Sequence, residues 1–274
     1  MAEENNSNIG ATIQAVAAIT KEVPVYQDAI QPAAIQVGKS LETVTKVVNL
    51  ALAPLKVLVW GYEKIEQFIA VNVAERLENV PSNEITTPKS NIVVPALQAL
   101  TYSGDEPELQ DLFANLIAAS MDVKTLHYAH PSFVETIKEL TPDEAKLMRL
   151  FSWQKVLPII TIRQNNKNGK GGIDIEKNFS LLGNQAGCEN SELTPVGIDN
   201  LIRQGLITIP YGSSYTEKTH YDALKNHQAV KEIKTRIELD SEKEAFIREE
   251  VIELTSYGKQ FIQVCVIDHR RIKF

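Results

Sequence analysis

Cysteine is scarce in this sequence: Cys188 and Cys265 are its only two, far apart and without a partner motif. That excludes a disulfide framework and a zinc spacing, and it makes a reducing cytoplasm the expected location. Positive charge is not in excess either. Lys and Arg number 28 against 35 Asp and Glu, a net charge of −7, which argues against nucleic acid as a partner held by bulk electrostatics. No long apolar run is present. The most apolar stretch, residues 47–60 (VVNLALAPLKVLVW), contains Asn49, Pro54 and Lys56 and falls short of the ~20 residues that a spanning helix needs. A buried helix is the simpler account of it. The opening MAEENNSN is polar and acidic, with neither the basic start nor the apolar core of a secretory signal. Catalytic signatures are missing as well: no nucleophile elbow, HExxH, P-loop or dinucleotide fingerprint occurs. No cofactor, no metal and no enzymatic activity are therefore expected.

What the chain does have is a run of amphipathic helices. Leu109, Leu112, Phe113, Leu116, Ile117 and Met121 recur at the spacing of one buried helical face. Asp105, Glu106 and Glu108 crowd the front of that helix, where carboxylates suit the positive end of the dipole. After a break at residues 127–131, Phe133, Val134, Ile137 and Leu140 start a second face. Thr141-Pro142-Asp143-Glu144 then opens a third helix, with Thr141 as N-cap, Pro142 at the first helical position and Glu144 closing a capping box.

Upstream, residues 1–8 read as a disordered start, followed by Ala-rich helical pieces to about residue 48. A long amphipathic helix carries Leu55, Leu58, Tyr62, Ile65, Ile69, Val73 and Leu77 and ends near Asn79. Residues 80–90 form an extended link, and residues 91–101 a short helix with Pro95 in its first turn. Downstream the period changes. Residues 157–162 are β-branched and run into a loop or hairpin tip at residues 165–172. Short helices follow at 180–186 and 194–204, then a strand at 206–209, a polar turn-rich stretch at 211–220, a helix-like or irregular stretch at 223–239, a strand at 249–254, and a final helix through Phe261 and Cys265.

That order, with the strings IDNLIRQGLI and IELTSYGKQF, resembles a winged-helix domain, and the resemblance implies a recognition position for residues 194–204 and a wing within residues 211–249. The expected fold class is mainly α: a helical N-terminal region followed by a winged-helix-like α+β C-terminal domain. The boundaries expected are 1–8 disordered, 9–139 all-helical and 140–274 winged-helix-like.

Asn200, Arg203 and Gln204 are the possible nucleic-acid contacts on the recognition helix, the first and third as base readers. Arg203 is its only base, set against Glu192 and Asp199, and residues 211–249 hold seven Lys/Arg against eight Asp/Glu. A protein contact or a structural role therefore outweighs DNA readout. The glycines of residues 168–172 lack the phosphate-loop spacing and read as a turn. His127 and His130 have a helical metal spacing, but Pro131 follows directly and no carboxylate-rich motif lies near. Cys188 has no basic neighbour to activate it.

The strings ALTYSGDEPELQDLFANLIAASMD and HPSFVETIKELTPDEAKLM, with LAPLKVLVWGYEKI at residues 52–65, resemble the abortive-infection alpha family, bacterial proteins grouped under a domain of otherwise unknown function. The resemblance covers residues 29–148 well and the rest more loosely. It implies phage defence in the bacterial cytoplasm through contact with a phage or host protein, with a homo-oligomer as a further option, and brings no catalytic residues. Two alternatives stand beside it: a winged-helix DNA-binding transcriptional regulator, and an effector that perturbs membranes through residues 47–60.

Overall fold

A computed structural model of the chain describes residues 45–47, 49, 68–100, 102 and 106–269. The described residues belong to one compact unit, and residues 1–39 lie outside them. The expected disordered start, the helical pieces before residue 45, Asp105 and almost all of the apolar stretch at 47–60 also lie outside them.

From Ile69 the described chain runs as a π-helix at Ile69–Val73 into α1 (Ala74–Arg76), the end of the expected long helix. Then come α2 (Ser90–Leu100), α3 (Pro107–Met121), α4 (Ser132–Lys138) and α5 (Pro142–Leu150). Pro95 stands inside α2 rather than in its first turn. The α5 capping box is present: Glu144 N–H donates to Thr141 Oγ1 at 3.2 Å, and Thr141 N–H to Glu144 Oε2 at 2.8 Å. Helix α3 is the hub, because eleven of its fifteen residues are buried, with Leu112, Phe113, Leu116 and Ile117 sealed from solvent. Each such side chain contributes about 1.5–3 kcal/mol of burial.

Four strands follow: β1 (Val156–Asn166), β2 (Gly172–Phe179), β3 (Ile207–Thr208) and β4 (Lys243–Leu254), all antiparallel, in the order β2-β1-β4-β3. Between them lie α6 (Leu182–Ala186), α7 (Thr194–Arg203), α8 (Asp222–Lys225) and α9 (Gln228–Glu238), and α10 (Ser256–Phe261) closes the order, continued as a π-helix at Ile262–Val266. Pro158 is tolerated in the inner strand β1 because pairing with β2 starts only at Ile160, so the missing N–H interrupts no ladder.

The architecture is mixed α+β, a correction to the expectation of a mainly α chain. Two segments account for it. Strand β2 escapes the sequence pattern because the alternation of Ile173 and Ile175 with Asp174 and Glu176 is cut short at Lys177 and Asn178, the latter at φ 58°. Strand β4 extends well before the expected residue 249. The expected wing region at residues 211–249 holds α8 and α9 before entering β4, with α9 inside the stretch 223–239 expected to be helix-like or irregular. The apolar residues of α9 explain this, since Val230, Ile233 and Ile237 recur at helical spacing and pack on Ile160 and Ile162 of β1.

The main core is continuous from Val73 to Cys265 and joins α2–α5 to α7, α10 and one face of the sheet. A buried polar chain crosses it. Arg76 donates from Nε to Asn115 Oδ1 at 2.7 Å and from Nη2 to Asp111 Oδ1 at 2.9 Å, and Asn115 Nδ2 donates to the Cys265 carbonyl at 2.9 Å. These bonds fasten the first described helix to α3 and to the C-terminal π-helix, and they satisfy groups that would be costly to bury unpaired.

Candidate functional site

Three helices begin at one place on the surface. Pro107, Pro142 and Pro195 stand in the first turns of α3, α5 and α7, where a missing N–H costs nothing and a fixed φ favours the helix. Between these starts, and closed on one side by the loop after α6, lies a cleft of about 600 Å³. Glu106, Glu108, Asp143, Glu144 and Glu189 line it, and among the described residues no Lys, Arg or His does. Leu193 and Val196 add apolar surface at the mouth, with 59% and 63% of their area exposed.

The carboxylates differ in role. Asp143 accepts from the backbone N–H groups of Glu189 at 2.9 Å and Asn190 at 3.0 Å, and from Lys146 at 3.3 Å. Burial opposes its charge, yet those donors and the Lys146 charge outweigh burial and hold the carboxyl below its ordinary value. Lys146 lies behind the wall, also 3.8 Å from Glu108. Burial works against its charge too, but Asp143 and Glu108 raise it above the usual lysine value. Glu144 is buried and fixed by the capping box. Glu106 and Glu189 are exposed and available to a visitor. Gly197 lets α7 close on α5: a Cβ there would stand 3.3 Å from Glu144 Cγ.

Asn200, Arg203 and Gln204 come together at the other end of α7, but around the junction of α4 and α5. Asn200 Nδ2 donates to the Glu139 carbonyl at 3.1 Å and to Glu144 Oε1 at 3.0 Å. Arg203 pairs with Glu139 Oε2 at 2.7 Å, and Gln204 Nε2 donates to the Glu139 carbonyl at 3.2 Å. Glu144 thus links this seam to the cleft. The Arg203–Glu139 pair is solvent-exposed and contributes little to stability.

The remaining candidates take structural places. His130 Nδ1 accepts from the Ser132 N–H at 3.1 Å at the start of α4, and Ser132 Oγ in turn lies 2.8 Å from the Tyr257 hydroxyl. The glycine-rich segment at 168–172 is a hairpin tip, with Gly169 and Gly171 at positive φ. Burial and then the Asp143 charge push the Cys188 thiol up to about 11, so it is protonated at neutral pH. Among the described residues no group of three or more His, Cys, Asp or Glu is placed to hold a metal, and no helix is long and apolar enough to cross a membrane.

The sequence pattern missed the cleft because its walls come from segments up to ninety residues apart. The available signal was the repeat of a proline helix start beside carboxylates, at Glu106-Pro107-Glu108 and Pro142-Asp143-Glu144.

Comparison with known proteins gives one broad match and one partial one. No curated protein matches the sequence. A solved structure of an uncharacterized protein from the hydrocarbon-degrading marine bacterium Alcanivorax borkumensis SK2 is similar at 18% identity, with a TM-score of 0.34, over 49% of this chain and 92% of that one. The family model for abortive infection alpha matches residues 61–265, which include every wall of the cleft. The chain belongs to the abortive infection alpha family.

Proposed function

We propose that this protein is a cytoplasmic phage-defence factor of the abortive-infection type that works by protein–protein contact, and that the acidic cleft is its contact surface. Membership of the family carries the defence role. The cleft supports the mode of action: five carboxylates, with no lining cation among the described residues, beside exposed Leu193 and Val196, complement a segment that presents Lys or Arg next to an apolar side chain. Such a segment would belong to a phage or host protein. The order α5-β1-β2-α6-α7-β3-α8-α9-β4 supports a winged-helix-like module in this half of the chain, with β2 added after β1 and α8 and α9 in place of the wing. Engagement of Asn200, Arg203 and Gln204 with Glu139 favours protein contact over DNA readout for that module.

Glu106→Lys combined with Glu189→Lys tests the cleft, because both side chains are exposed and neither holds the core. The double variant should keep the parent's thermal transition and lose protection against phage by on the order of tenfold or more, as should Val196→Arg. Full protection by both folded variants would remove the cleft from the account.

A further inference from the structure

Strand β4 is twelve residues long, and it is paired along its whole length on one side only. Strand β1 accompanies it without a register shift from Val156↔Glu253 to Asn166↔Lys243. On the other side, β3 reaches only Glu253 and Leu254. Among the described residues, the outer edge from Lys243 to Ile252 therefore has no neighbouring strand.

The direction of the backbone along this edge is fixed at both ends. Thr255 N–H donates to the Leu206 carbonyl at 3.1 Å, towards β3, and Lys167 N–H donates to the Glu242 carbonyl at 2.9 Å, from the β1 side. Hydrogen-bonding direction alternates along a strand, so Ala245, Ile247 and Glu249 aim their N–H and C=O groups outward. Proteins blunt such edges with prolines, bulges or short strands. This one has none of these; its only guard is charge of both signs, at Lys243, Glu244 and Arg248, and it carries Phe246 with half of its surface exposed.

We propose that the outer edge of β4 pairs antiparallel with the same edge of a second copy, the two-fold axis passing through Phe246. Charge selects that register. It sets Glu244 opposite Arg248, twice by symmetry, and it sets Phe246 opposite its own counterpart, while Glu249 stays paired with Lys218 and Lys225 of its own chain. A two-fold one residue further along, at Ile247, would set Glu244 against Glu250, like against like. Outward-pointing residues must face outward-pointing residues, which restricts an antiparallel two-fold to an axis through a residue and leaves few alternatives. Phe246 lies at a position without inter-copy hydrogen bonds, where opposed Cβ atoms approach to about 4.5–5.5 Å and an aromatic pair stabilises the junction. Arg248 already meets Glu250 and Asp174, yet 40% of its side chain remains exposed to reach a neighbour. The partner surface is remote in sequence from the cleft residues, so this pairing stands or falls apart from the cleft.

The test is sedimentation of the full chain over a concentration series, with three variants. The parent should associate to a dimer. Phe246→Lys and Glu244→Arg should each weaken the dimer by on the order of tenfold or more, and Glu244→Arg together with Arg248→Glu should recover it, because the exchange restores opposite charges in the proposed register. Oxidised Phe246→Cys should yield a covalent dimer that the parent, with its own Cys188 and Cys265, does not. A monomeric parent at every concentration would overturn the proposal, as would a dimer indifferent to Phe246→Lys and Glu244→Arg.

Discussion

His269 shows what a single buried residue does to the pH response. Its Nε2 lies 3.0 Å from Asp122 Oδ2, both side chains are buried, and Nδ1 has no partner. Burial lowers the imidazole below its ordinary 6.5, and the hydrogen bond and charge of Asp122 offset this only in part. The unfolded chain then binds a proton that the folded chain refuses, so stability is complete above 6.5 and falls as pH drops below that value through the folded one. Asp143, Asp174 and Glu249, held below their ordinary 3.8, 3.8 and 4.5, act in a separate and more acid window. Thermal unfolding from pH 7 to 5.5 should show a falling transition in the parent and a flatter one in His269→Gln. Equal slopes would assign the effect elsewhere. None of this was legible in the sequence. Asn115 likewise sits between Leu112 and Leu116 on an apolar face, and periodicity cannot say that its partners are Arg76 and the Cys265 carbonyl.

Elements were legible where local chemistry declares them. The α5 capping box, the α3 face and the break before α4 are all written in neighbouring residues, because helix starts are satisfied within four positions. Elements that depend on distant partners were not. Strand β2 owes its place to β1, and the residues before 249 owe their extended state to an eleven-position ladder. Gly258 is another such dependence. It lies in α10 against β3, where an added Cβ would stand 1.9 Å from the Leu206 carbonyl oxygen, and Thr255 Oγ1 bonds the carbonyl of Gly205 beside it. Backbone atoms must move to admit it. Gly258→Ala should therefore destabilise by about 3 kcal/mol, read as a lower denaturant midpoint, while Ser256→Ala on the exposed start of the same helix changes little. Equal midpoints for Gly258→Ala and the parent would mean that α10 and the start of β3 are not packed this closely.

At the scale of the molecule, the C-terminal half departs from the sequence expectation by adding β2 and lengthening β4, and the two faces of the resulting four-stranded sheet serve different cores. One face meets the helical body, and the other is covered by α9. That arrangement leaves two surfaces uncommitted. Among the described residues, the cleft concentrates carboxylates without a lining cation, and the β4 edge keeps its ladder open. Periodicity pointed to neither: the cleft is made by elements converging from separate parts of the chain, and the open edge depends on how far β3 reaches along β4. The family resemblance was legible in long strings within residues 96–148, because they code for α3, α4 and α5 at the centre of the fold. The central claim is defence by abortive infection, and the most direct measurement is a phage challenge of bacteria with and without this gene at low and high multiplicity, following phage yield and host survival together. The account predicts reduced phage yield in both cases, with the culture surviving low multiplicity and collapsing at high. Unchanged phage yield across a broad phage panel would contradict it.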